Sequence, residues 1–174
     1  MNNVLEIAGL IANIMTCIGV MIAVVEFYKT KKLQYILNER EIKQNTLSIY
    51  REYEHKFHTY NNIIYKKCRK NSITYTELKE DLELEKMVCD YLNELEFICT
   101  GVNIGIYDIN VLERLYGNVI VRLFEQVYEY IDFRRKDKNS NIEFLEFEIV
   151  AKKMKCIQGR LKNLNSEAEF KMNI

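Results

Sequence analysis

The chain has 174 residues, 48% apolar and 29% charged, which fits one domain, or a small domain with an appendage, that can bury a core. Its 25 basic residues balance 25 acidic ones, excluding a protein that coats nucleic acid by bulk charge while leaving room for a local basic patch. Proline is absent, glycine occurs only 6 times, and the cysteines at 17, 68, 89, 99 and 156 form no CxxC, which disfavours turn-rich β folds, disulfide frameworks and zinc sites.

From Ile7 to Val25 no residue carries a formal charge, and Glu6 and Glu26 bracket the stretch. At 1.5 Å per residue this reaches about 28 Å, against a hydrocarbon core of roughly 30 Å. Met1-Asn2-Asn3 precede it, and Lys29, Lys31 and Lys32 follow. A cleaved signal peptide shows the opposite flanks. The expectation is a signal anchor over 1–28 in the inner (plasma) membrane, N-terminus outside and the rest of the chain cytoplasmic. The three lysines then meet acidic lipid. Gly9, Ala12, Thr16, Gly19 and Ala23 recur at spacings of three and four, forming one stripe of small residues with Asn13 beside it and Glu26 near its end. Such a stripe serves a packing seam between copies of the chain, or lines a pore. Both alternatives predict a homo-oligomer in the bilayer.

Residues 29–48 keep helical propensity but turn polar through Asn38-Glu39-Arg40-Glu41, so the helix either continues or hinges there. A cytoplasmic bundle is expected over 49–165, with a frayed tail at 166–174. Ile49, Tyr50, Tyr53, Phe57, Tyr60 and Ile64 mark the apolar face of its first helix. A capping box at Thr74 and Glu77 opens the next, with Leu78, Leu82, Cys89, Leu92, Leu95 and Cys99 inward and a turn from Gly101 to Gly105. Asp108 or Asn110 caps the third, which carries Leu112, Leu115, Val119, Leu123, Val127 and Ile131 and closes at Arg134-Arg135-Lys136. Ser140 and Glu143 open the fourth, with Phe147, Val150, Met154, Ile157, Leu161 and Leu164. The fold class is all-α: one transmembrane helix continuing into a helical bundle.

Catalytic constellations are missing, so an enzyme is not expected and no cofactor is implied. The only histidines, His55 and His58, stand i, i+3 without a clear third ligand, and no metal site is assigned. No GxGxxG, P-loop or GxSxG occurs. The densest basic groups are Lys66, Lys67, Arg69 and Lys70; Arg134 and Arg135; and Lys152 and Lys153. Tyr60, Tyr65, Tyr75, Tyr128 and Tyr130 lie near them. Cations for phosphates and aromatic faces for bases are the two components of single-strand or nucleotide binding. The same residues also suit solvated helix ends and half-buried core positions.

The segment Leu92-Asn93-Glu94-Leu95-Glu96, through Gly101-Val102 and Gly105-Ile106-Tyr107-Asp108, to Tyr116-Gly117 resembles the central stretch of a family of small bacterial single-pass membrane proteins with a cytoplasmic helical domain. It reads as a helix–turn–helix packing signature without catalytic residues. The architecture is also similar to membrane effectors of anti-phage defence, the Hailong-type effector among them. That resemblance implies an oligomeric channel controlled by a cytoplasmic nucleotide, or by single-stranded DNA made by a partner nucleotidyltransferase. It also implies depolarisation of the infected cell. The rival expectation is a membrane-tethered scaffold whose bundle recruits a cytoplasmic partner protein.

Overall fold

The computed structural model describes the backbone of residues 2–67, 78 and 80–172, and the side chains of 13–66, 78 and 80–160. Among the described residues the structure is all-α, without strands. Its helices are α1 (Asn2–Lys67), α2 (Leu82–Asn103), α3 (Ile109–Asp137) and α4 (Leu145–Met172). They fall into two compact units, Met1–Glu41 and Ile42–Ile174.

The first unit is the N-terminal part of α1. Every described side chain in it is exposed, including Ile14, Met15, Ile18, Met21, Ile22 and Val25. This helix is long and apolar enough to cross a membrane, and none of its apolar window is buried within the chain. The polar stretch 33–46 is helical throughout, which favours continuation of the helix over a break in it.

In the second unit each helix buries one stripe. α2 hides Leu84, Val88, Tyr91, Leu95, Ile98 and Val102. These steps of four and three follow the 3.6-residue period of a straight helix. The expected face is therefore turned slightly: Leu78, Leu92, Leu95 and Cys99 are buried, but Cys89 is half-buried and Leu82 is exposed. α3 shows the same rotation, burying Leu112, Tyr116, Ile120, Leu123, Val127 and Ile131 while Leu115 faces outward. Phe147, Val150, Ala151 and Met154 come from α4, and Phe57 and Ile64 from α1. Leu161 and Leu164 have side chains outside the described residues.

The connections explain the boundaries. The expected cap at Thr74 and Glu77 lies outside the described residues; α2 as described is capped by Asp81, whose carboxylate accepts the Leu84 N–H at 3.0 Å. Its C-terminus closes on Gly105, at φ 82°, a left-handed turn that favours glycine. There the Ile106 and Tyr107 N–H groups both donate to the Gly101 carbonyl, at 2.8 and 3.1 Å. A Cβ on Gly101 would run into the Tyr107 ring, so the close approach also requires glycine there. Asp108 caps α3 through the N–H groups of Asn110 and Val111, at 2.8 and 3.3 Å. Its own N–H donates to the Thr46 hydroxyl at 2.7 Å, and Thr46, fully buried, donates to the Ile42 carbonyl.

Ser140 and Glu143 do not open α4 as expected. Ser140 belongs to the end of α3, its N–H bonded to the Arg135 carbonyl at 2.9 Å, and the Glu143 carboxylate is held by Arg134 and Lys138. A residue of α2 takes over the capping role. The Glu96 carboxylate accepts the N–H groups of Glu146 and Phe147 at 3.1 and 2.7 Å.

Candidate functional site

Of the small-residue stripe, Gly9 and Ala12 lie in α1 with side chains outside the described residues. Asn13, Thr16, Gly19, Ala23 and Glu26 are exposed along the same helix. A Cβ placed on Gly19 meets nothing within 4 Å. Glu26 pairs with Lys29 at 3.1 Å. Beyond it Phe27 and Tyr28 stand edge to face at 6.1 Å, and the Lys31 ammonium lies 5.1 Å over the Phe27 ring. Aromatic rings followed by lysines at the end of an apolar helix are the composition of a bilayer interface.

The basic residues differ in their surroundings. Lys66 is exposed at the end of α1, the Lys67 side chain is undescribed, and Arg69 and Lys70 lie outside the described residues. Arg134 and Arg135 are mostly buried and occupied. Arg134 meets the Glu143 carboxylate at 2.8 Å, the Tyr130 hydroxyl at 2.9 Å and the Cys89 sulfur at 3.4 Å. Burial opposes its charge, but Tyr130 and Glu143 hold its pKa above the ordinary guanidinium value. Arg135 donates to the Glu143 carbonyl at 2.8 Å and pairs with Glu148 at 2.6 Å. Glu148 also holds Lys152, at 2.5 Å. Burial opposes the charges of Glu143 and Glu148, yet these cations keep both carboxyls below the usual range. This group fastens the end of α3 to the start of α4. Lys153 differs: it donates to a neutral partner, the Asn103 carbonyl oxygen, at 2.8 Å.

Tyrosines nominated beside the cations also divide. Tyr130 is fully buried, and burial raises its hydroxyl to about 12 against the pull of Arg134. Tyr65 and Tyr128 are exposed, and Tyr60 stacks at 5.0 Å on Tyr91. Tyr91 lies in a buried polar node with Tyr116 and Asn61 that the sequence analysis did not anticipate. The two hydroxyls are 3.1 Å apart, and the Asn61 amide donates to both. Phe57 stacks on Tyr116 at 5.0 Å and lies 5.3 Å from Tyr91. Burial raises Tyr116 to about 12 and pushes Tyr91 further up. The available signal was Tyr116 and Asn61 falling at inward positions of their helices. Such residues need mutual hydrogen bonds once buried.

Burial pushes the Cys99 thiol well above its ordinary value, the direction of an inert thiol. His55 and His58 are exposed, and among the described residues no group of three His, Cys, Asp or Glu side chains converges to hold a metal.

The resemblance segment occupies the packing centre of the second unit. Leu92 and Leu95 are core, Glu94 meets Lys56 at 3.0 Å, Glu96 caps α4, Asp108 caps α3, and Tyr116 joins the buried node. An exposed apolar helix long enough to span a membrane, in one chain with an all-α unit that buries its own core, defines the class of protein. The chain belongs to the DUF4760 family, a domain of unknown function, which it matches over residues 4–154. No curated protein and no solved structure matches it, so the Hailong-type likeness stands on architecture alone.

Proposed function

We propose that the protein is a single-span membrane effector whose N-terminal helices associate and form or gate an ion-conducting pore. Residues 1–28 are the anchor and 29–48 the juxtamembrane helix. Residues 49–165 are the cytoplasmic bundle that receives a nucleotide or oligonucleotide signal, and 166–174 the tail. The observation that carries this reading is the complete exposure of residues 13–28, small, polar and apolar positions alike. Lipid satisfies the apolar positions, while Asn13 requires a protein or water-filled environment within the bilayer. Copies of the same helix provide one. Glu26 and Lys29 then place charge at the inner mouth, where rings of charge set ion selectivity. The resemblance to anti-phage effectors supports depolarisation as the outcome.

Membrane potential in bacteria expressing the full chain tests the reading. Depolarisation that disappears with Asn13→Leu and with Gly19→Leu, at unchanged protein level, is expected. Depolarisation unaffected by both substitutions removes the pore.

A second reading, a tethered scaffold recruiting a cytoplasmic protein, is favoured by the occupation of Arg134, Arg135 and Lys152 within the bundle, which leaves fewer cations for a nucleic acid. It predicts that an unrelated membrane span in place of residues 7–25 preserves activity. The pore reading forbids this.

A further inference from the structure

Three cations gather around one groove of about 500 Å³, lined by Ile109, Lys152, Lys153, Cys156, Ile157 and Arg160. It lies where the start of α3 meets one face of α4. Three observations make it a binding site rather than a solvated helix side. First, its cations are incompletely neutralised. Lys153 rests on the neutral Asn103 amide, Lys152 shares Glu148 with Arg135, and Arg160 has no ion-pair partner among the described residues. Second, Asp108, the acid that precedes Ile109 in the chain, is turned away. The Asp108 carboxylate accepts N–H groups of its own helix. Third, the floor is apolar, from Ile109, Ile157 and the exposed Cys156. A site of this size holds a ligand of mononucleotide dimensions, and small-molecule sites combine an apolar lining with a few directed charges.

We propose that this groove binds a small phosphate-bearing molecule with an apolar or flat body. The phosphate lies against Lys153 and Arg160 with Lys152 at the rim, and the body rests on Ile109, Ile157 and Cys156. A nucleotide and a lipid phosphate share this chemistry. The site deepens the proposed function by giving the bundle's signal a place, and it rests on that reading only for the consequence of binding. Binding is measured without current, so either claim fails separately.

The test is equilibrium binding to the purified full-length protein in detergent, with ATP, dihexanoyl phosphatidic acid and inorganic pyrophosphate as probes. Saturable binding of ATP that weakens about tenfold in Lys153→Gln and in Arg160→Gln, the loss of one charge-assisted contact, supports the site with a nucleotide as its source. The same pattern for dihexanoyl phosphatidic acid supports it with a lipid as the source. Lys155→Gln, on the same helix but paired with Glu125, leaves either affinity unchanged. Affinity in the unmodified protein also falls as salt rises from about 0.05 M to about 0.3 M. Pyrophosphate binding as tightly as the other probes overturns the proposal, because the apolar floor then contributes nothing. Binding of all three weaker than about 1 mM overturns it, as does binding indifferent to both substitutions and to salt.

Discussion

Residues 13–41 and residues 42–160 differ in how completely the chain satisfies its own side chains. In the first region nothing is buried, and its polar contacts run along the helix surface: Glu26 to Lys29, Tyr35 to Glu39. In the second, apolar stripes close on one another and even the charges are matched across helices, Arg134 to Glu143, Arg135 to Glu148 and Glu96 to the start of α4. The second region is a compact unit with a core of its own. The N-terminal helix leaves its apolar side chains exposed. Apolar surface of that extent is stable only when lipid or another protein removes it from water.

Substitutions sharpen this contrast. Phe57→Ala should destabilise the bundle by about 3–5 kcal/mol, since it empties the space between the Tyr91 and Tyr116 rings. Denaturant unfolding of the full chain measures this, and Ile18→Ala in the exposed region should leave the same transition in place. Arg134→Ala comes next, at about 2 kcal/mol, because it leaves the mostly buried Glu143 carboxylate to Lys138 alone and removes the donor to the Tyr130 hydroxyl. Arg134→Lys should recover little, as one ammonium cannot reproduce the guanidinium fork.

The pH profile of thermal stability should narrow the contrast further. Glu143 and Glu148 have folded pKa values below the 4.5 of the free group, so their contribution is complete above 4.5 and is lost as pH falls through the lowered values. Burial places Tyr116 and Tyr130 at about 12, above the free value of 10.0. Their contribution is complete below 10.0 and is lost as pH rises toward 12. Glu143→Gln with Glu148→Gln should flatten the acid limb and leave the alkaline one. The smallest effect belongs to Lys155→Gln, within about 0.5 kcal/mol, because its pair with Glu125 is solvent-exposed. A larger change there would mean that surface charge, too, holds the bundle together.

Much of this architecture is legible in the residues, and the exceptions share a cause. The apolar stretch 7–25, the helix stripes and the Asp108 cap depend on neighbours within a few positions, which periodicity and local chemistry read directly. Ser140 and Glu143 have the spacing of a capping box but lose that role, because Arg134 and Lys138 claim the carboxylate while Glu96, 50 residues away, reaches the N–H of Glu146. Arg134 and Arg135 show their charge in the sequence but not their partners on the following segment. The groove was half visible: Lys152 and Lys153 stood out as a run, whereas Arg160, a turn and more along the same helix face, did not. Tertiary distance, not weak local preference, separates what could be read from what could not.

The central claim is that the exposed helix forms or gates a conducting path with copies of itself. Current across a planar bilayer containing the purified full-length chain tests it most directly. Stepwise conductance that is lost with Asn13→Leu and with Gly19→Leu, in variants that still insert and whose bundle melts as before, is the predicted result. A silent bilayer with inserted protein, in the presence and absence of ATP and of single-stranded DNA, would contradict it and leave the helix an anchor.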